Sequence, residues 1–290
     1  MRKCIWLLAA LAAVLPLSAQ IFRFSREELV KYTAENPFER FPDGRPKVPD
    51  ALLEKLRALS MEDVWPVLRE AKFNNQYEGG WRLLQPGKKL VGRAVTAQYI
   101  PARPDVGAVI AKEGAAAGRT GGQNQWVIDM LQKGDVLVAD VFGKVENGTM
   151  IGDNLATAIH VSTGAGFVID GGIRDLEGIH PIGMVGYYRG AHPTAFTDLM
   201  CSGINIPIRI GQATVMPGDI VLGDREGIYF IPPALAQKIV DRAVETRIHD
   251  DWTQMKLRTG KYKSSEIYST PRDPELKREY EEYRKKRLGK

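Results

Sequence analysis

Apolar and polar positions alternate from Leu90 to Ile100, in LVGRAVTAQYI, and the stretch is rich in β-branched residues, which is the pattern of a strand. The front of the chain follows a different period. Ser25 and Glu28 form a capping-box pattern that opens a helix through about Glu35. Asn36 to Pro49 is rich in proline and carries the Asp43-Gly44 turn signal, so it reads as a loop. Asp50 caps a second helix with Leu52, Leu53, Leu56 and Leu59 on one face, and Ser60 starts a third at Met61.

Beyond Leu90, strands and helices alternate. Asp135–Val141 and Gly166–Asp170 read as buried strands, and Gln123–Leu131 and Asn154–Val161 as helices. Ile204–Ile210, Asp219–Leu222 and Gly227–Ile231 are strand-like, and Pro232-Pro233 introduce a helix from Ala234 to about Ile248. The mixture predicts an α/β domain over residues 50–248, with an N-terminal extension over 20–49. Residues 249–290 form a polar, charged arm, expected to pack on a neighbour or lie on the surface.

Composition adds a leader and removes several function classes. Arg2 and Lys3 precede an apolar run from Cys4 to Leu17, and Ser18-Ala19 offers a small-residue cleavage site, the pattern of a secretory signal over residues 1–19. The run is shorter than the ~20 residues that span a bilayer, so no stable membrane anchor is expected and the protein is read as exported, periplasmic or secreted. Loss of Cys4 leaves Cys201 as the one cysteine of the mature chain, which excludes an intrachain disulfide. The net charge of +5 sits largely in the leader and in the run Arg284–Lys290, without a basic stripe interleaved with aromatics, so no nucleic-acid partner is expected.

Candidate chemistry gathers at three places. Gly152-Asp153-Asn154-Leu155 opens a helix, so it either presents backbone N–H groups to a carboxylate or phosphate, or is a plain helix cap. In Asp170-Gly-Gly-Ile-Arg174-Asp175 an apolar strand runs into a double-glycine turn. Arg174 is suited to gripping a carboxylate and Asp175 to binding a hard divalent cation; the alternative is a salt bridge between the two. Asp224-Arg225-Glu226-Gly227 joins two strands, either as a simple hairpin turn or as a source of a carboxylate for a neighbouring subunit.

Other motifs carry less. Gly114–Gly122 is glycine-rich but lacks the Lys-Ser/Thr ending of a phosphate loop, and Gly164-Ala-Gly166 precedes its strand instead of following it. His160 within a helix and His249 near a helix end read as structural. His180 and His192 follow Arg174-Asp175 in His-Pro turn contexts and remain catalytic candidates.

Six landmarks in order, LSMEDV (59–64), LVGRAVTA (90–97), GDVLVAD (134–140), GDNLATA (152–158), VIDGGIRD (168–175) and PGDIVLGDREGIYFIP (217–232), make the chain resemble the RraA-like family. That family includes 4-hydroxy-4-methyl-2-oxoglutarate aldolases and regulators of ribonuclease activity. The resemblance implies a layered β/β/α swivelling-type core and a homotrimer or pair of trimers with sites between subunits. It implies that Arg174 holds the carboxylate of a 2-oxo acid, Asp175 binds Mg²⁺ or Mn²⁺, and Gly152–Leu155 offer backbone amides. It also implies that Glu226 of an adjacent subunit orders metal-bound water.

The implied activity is a metal-dependent lyase, cleaving a 4-hydroxy-2-oxo diacid or decarboxylating oxaloacetate through a stabilised pyruvate enolate. One departure stands out: aldolase members commonly carry an acidic residue three positions after the aspartate, and here that position is Gly178, with Glu177 one residue earlier. The rival reading is a non-catalytic interaction protein of the ribonuclease-regulator type. Retention of both Arg174 and Asp175 favours the enzyme.

Overall fold

The computed structural model describes residues 23–289. The expected leader, residues 1–19, lies outside the described residues.

Helix α1 (Arg26–Tyr32) begins at the Ser25–Glu28 capping box, as read, and ends three residues before Glu35. In α2 (Asp50–Arg57) the helix starts on Asp50 itself, with Pro49 as its cap, and α3 (Met61–Glu70) starts at a Ser60–Asp63 capping box. Two short strands follow, β1 (Tyr77–Glu78) and β2 (Arg82–Leu83), and then the long β3 (Leu90–Pro101).

Helix α4 (Pro104–Ala116) lies in a stretch whose alanines and glycines blur the apolar period, and no helix is expected there from the pattern. Its Gly114 lets the Trp126 ring lie against the helix backbone, since a Cβ there would sit 2.5 Å from the ring. The expected helix at 123–131 shrinks to α5 (Gln125–Ile128). Next come β4 (Asp135–Asp140), β5 (Thr149–Ile151), α6 (Asp153–Thr163), β6 (Gly166–Ile173), α7 (Leu176–Ile179) and β7 (Val185–Ala191).

The strand expected over 204–210 is divided. β8 (Leu199–Ile204) and β9 (Ile208–Ile210) are separated at Asn205, whose φ of 52° is left-handed and ends the extended run. β10 (Ala213–Val215), β11 (Ile220–Gly223) and β12 (Ile228–Ile231) complete the strands. Helix α8 (Ala236–Leu257) is longer than expected, which puts His249 inside it and not near its end; α9 (Ser264–Ile267) and α10 (Pro274–Arg287) follow.

The main sheet runs β1-β12-β11-β3-β4-β6-β7-β2, with β5 added to β6 and β8 to β3. Its centre, β3-β4-β6-β7, is parallel, so the carboxyl ends of these strands share one edge. Successive residues of β4 face opposite layers. Leu137 and Ala139 pack under α4 to α7, whereas Val136 and Val138 pack against the β9–β10 hairpin. Burial on both sides explains the unbroken apolar reading of these strands. A third apolar region lies between α2, α3, α8 and the β11–β12 hairpin. The layering is the expected α/β one, with a hairpin, a mixed sheet and helices.

The N-terminal extension inserts a charge into this body. Arg45 Nη1 lies 3.2 Å from Asp135 Oδ1, the two side chains being 3% and 0% exposed. Asp43 holds the same guanidinium at 2.7 Å, and the Phe41 ring lies beneath it. Burial pushes the Asp135 carboxyl above its usual range, although Arg45 pulls it down. At the other end the charged arm folds back: Tyr280 of α10 lies over the fully buried Trp252 of α8 with ring centroids 5.3 Å apart. Arg284 and Arg287 pair with Glu245 and Asp251, each at 2.6 Å. These contacts place the arm on the surface of its own chain.

Two outcomes follow from buried charge. Arg45→Ala strands the Asp135 carboxylate and is expected to cost about 3 to 5 kcal/mol in urea unfolding. Asp219, in the turn before β11, is 3% exposed and accepts one bond, from Met216 N–H at 2.8 Å; burial pushes its carboxyl up to about 7. That lies above the unfolded value of about 3.9, so this group favours the folded state most at low pH, and the benefit is lost as pH rises to about 7. The urea midpoint is therefore expected to fall more between about pH 5 and pH 8 in the wild type than in Asp219→Asn, which keeps an acceptor oxygen.

Candidate functional site

The residues Gly152–Leu155, Arg174 and Asp175 come together at the carboxyl edge of the parallel strands, where α/β sheets place ligands. β6 carries them there by a route the sequence pattern does not reveal. Gly171 and Gly172 do not form a turn; they stay in the strand, across an irregularity in its pairing with β7. Glycine is needed there for close approach, because a Cβ at Gly171 would lie 2.7 Å from Val141 Cβ, and one at Gly172 would lie 2.7 Å from the Val145 carbonyl oxygen. The chain turns at Asp175, whose backbone is left-handed with φ 58° and ψ 42°. The Asp175 carbonyl accepts from the N–H groups of Gly178 and Ile179, each at 3.0 Å, which anchors the turn to α7.

The two charged side chains meet across this turn. Arg174 Nε lies 3.2 Å from Asp175 Oδ2, so the salt bridge foreseen as the alternative does form. It does not consume either group. The side chains are 37% and 45% exposed, and no other side-chain hydrogen bond or ion pair of the Arg174 guanidinium or of the Asp175 carboxylate occurs among the described residues.

Glycine also makes the space beside them. A Cβ on Gly152 would fall 2.2 Å from Asp175 Oδ2 and 3.2 Å from Arg174 Nε, so only glycine leaves that carboxylate in place. Gly152 caps α6 without a side chain. Asp153 Oδ1 accepts from Asn154 N–H at 2.8 Å, so the plain-cap reading is realised for one amide of the first turn. The Leu155 side chain packs toward the core, which leaves only its backbone for a ligand.

A second glycine answers the departure at position 178. A Cβ on Gly178 would fall 2.6 Å from Asp153 Oδ2 and 2.7 Å from Asp153 Cβ. The Asp153 carboxylate thus occupies the space that a side chain at 178 would need. Spacing along the chain does not show this, since the two residues lie 25 positions apart and meet only through the packing of α6 on α7.

Glu226 is not part of this assembly within one chain. It lies in the β11–β12 hairpin, whose Gly223 pairs with Leu90 at the start of β3, so the hairpin stands at the opposite edge of the sheet. The turn itself is well made: Asp224 Oδ1 accepts from Glu226 N–H at 2.8 Å, and Tyr77 Oη donates to the Glu226 carbonyl. His180 begins a short 3₁₀ turn after α7, and His192 follows β7 directly.

Among the described residues no group of three or more His, Cys, Asp or Glu side chains is arranged to hold a metal ion. The carboxylate beside Arg174 is that of Asp175, and the Asp153 carboxylate lies against Gly178 of α7. Such a sparse, hard donor set fits a cation that keeps most of its water, as Mg²⁺ does, and does not fit zinc. No helix of the described residues is long and apolar enough to cross a membrane.

The comparisons with known proteins agree with this architecture. Protein DlpA of Legionella pneumophila is 28% identical over 198 residues, covering 63% of this chain and 28% of that protein. A Halalkalibacterium halodurans protein named "Putative 4-hydroxy-4-methyl-2-oxoglutarate aldolase" is 30% identical over 118 residues, 41% of this chain and 56% of its own length. The chain therefore spans little more than a quarter of the first relative and just over half of the second. Among solved structures, Streptomyces coelicolor RraAS2, described as an unusual member of the RNase ES inhibitor RraA protein family, superposes with a TM-score of 0.62 at 28% identity. The match covers 72% of this chain and all of that one. The family model for RraA-like proteins, described as Aldolase/RraA, matches residues 47–230, a span that holds the Gly152 loop, Arg174, Asp175 and the acidic hairpin. The chain belongs to the RraA-like family.

Proposed function

We propose that this protein is a divalent-metal-dependent lyase that breaks a carbon–carbon bond of a 2-oxo acid, as a 4-hydroxy-2-oxo diacid aldolase or an oxaloacetate decarboxylase. The observation that carries this reading is the partly exposed Arg174–Asp175 pair, whose carboxylate stands over Gly152 at the start of α6. Relatives named as aldolases support the substrate class.

Arg174 presents a planar fork suited to two parallel hydrogen bonds with a carboxylate, and it is accessible enough to receive one. The first-turn amides of α6 add hydrogen-bond donors and the positive end of the helix dipole, so negative charge that develops on the substrate is stabilised there. Asp175 is the residue that would hold Mg²⁺ or Mn²⁺. When bound, the ion supplies Lewis acidity toward the 2-oxo group. Asp153 fits the role of moving the proton, because its carboxylate occupies the space that a side chain at position 178 would need. Arg174 then retains the pyruvate product by the same carboxylate contact.

In a homotrimer or a pair of trimers, Glu226 would reach a site only from another subunit. The apolar leader over residues 1–19 supports action outside the cytoplasm. A second reading, a non-catalytic regulator, is favoured by the likeness to the Streptomyces protein alone; the retained Arg174 and Asp175 weigh toward the enzyme.

Pyruvate release from oxaloacetate and from 4-hydroxy-4-methyl-2-oxoglutarate, with Mn²⁺ binding followed by electron paramagnetic resonance, tests the reading. Asp175→Asn is expected to abolish Mn²⁺ binding and turnover together, and Arg174→Ala to lower kcat by about 10²- to 10³-fold with Mn²⁺ binding retained. Absence of pyruvate from every such substrate, with Mn²⁺ binding indifferent to Asp175, would leave the regulator reading. Light scattering is expected to give a trimer or hexamer; a monomer removes Glu226 from the site.

A further inference from the structure

The edge strands around β6 align three residues in a row. β5 and β7 pair with β6 on opposite sides, with Ile151 and Ala191 both in register with Ile173. The next residues are Gly152, Arg174 and His192. Arg174 N–H donates to the Ile151 carbonyl at 3.0 Å, and His192 N–H donates to the Ile173 carbonyl at 3.1 Å, so the pairing continues through this row. Residues in register on neighbouring strands project from one face, about 4.8 Å apart. Arg174 therefore has no side chain beside it at Gly152 and an imidazole beside it at His192.

The imidazole is oriented before any ligand arrives. Thr194 Oγ1 accepts from Asn147 N–H at 2.6 Å and lies 3.0 Å from His192 Nδ1. Thr194 N–H also points at Nδ1, at 3.4 Å. The backbone N–H can only donate, so Nδ1 offers its lone pair, the hydroxyl donates to it as well, and the proton of the neutral ring belongs on Nε2. The loop that carries Thr194 is tied down in turn, since Thr149 Oγ1 of β5 donates to the Thr194 carbonyl and Gly148 bridges to Phe196. Nε2 has no partner among the described residues, and the ring is half-buried. An oriented N–H donor beside an accessible guanidinium suits a carboxylate, which accepts from both without adding a second positive charge to the site.

We propose that His192 is a further substrate-binding residue, donating from Nε2–H to the carboxylate that Arg174 grips. The assignment rests on the lyase reading of this site and adds two-point recognition of the substrate's carboxylate to it. Titration calorimetry with pyruvate in the presence of Mg²⁺ separates the two. The wild type is expected to bind, His192→Ala to bind roughly tenfold more weakly, the worth of one hydrogen bond to a charged group, and His192→Gln, whose amide N–H reaches the place of Nε2–H, to recover most of the loss. Thermal unfolding of both variants is expected to match the wild type, and with oxaloacetate the loss is expected in KM more than in kcat. Pyruvate binding that is the same in His192→Ala and the wild type overturns the role of His192 alone. A wild type that binds no pyruvate overturns the reading of the whole site, and this assignment with it.

Discussion

Two backbone hydrogen bonds, Arg174 N–H to the Ile151 carbonyl and His192 N–H to the Ile173 carbonyl, fasten the end of β6 to its neighbours on both sides. The site depends on them. They hold an arginine in the middle of a three-strand row after the strands' regular pairing has ended, with a helix start on one flank and a histidine on the other. The left-handed turn at Asp175 comes one residue later and directs its carboxylate back over Gly152. Left-handed backbone is uncommon for a residue with a side chain, and here α7 secures it through the two bonds to the Asp175 carbonyl.

Empty volume matters as much as the charged groups. Gly152 leaves room for Asp175, and Gly178 leaves room for Asp153, so each carboxylate stands over a glycine from another segment. The rim is polar and partly exposed, with its apolar support below: Ile151 and Ile173 belong to the core beneath the row. Rigid, buried strands and an open rim are compatible because the change from one to the other occurs within a single residue step at the end of each strand.

The segments outside the family match tie down the far parts of the chain. Arg45 closes the N-terminal extension onto the base of β4 through Asp135, at the end of the sheet away from Arg174. α10 covers Trp252 of α8, so its charged residues act partly as cover for an apolar surface and partly as ion pairs. Ion pairs of this exposed kind contribute little individually, and the buried ring is the stronger reason for the arm to stay in place.

The capping box at Ser25, the helix start at Ser60, the long alternating strand from Leu90 and the hairpin around Asp224 are all legible in the sequence, because each is set by local periodicity or turn chemistry. Arg174 and Asp175 are legible as an adjacent cation and carboxylate. Other features are not. The α4 helix is hidden by alanine and glycine, and the double glycine of β6 resembles a turn until the 141–145 segment is seen crossing over it. Asp153 over Gly178, His192 beside Arg174, and Glu226 at the opposite edge are relations between residues far apart in sequence. The sequence by itself determined many of the elements and the chemical groups, since these depend on neighbours within a few positions. Only the tertiary structure decided which groups face one another, because strand register and the close approach of backbone to glycine are set by packing between distant segments.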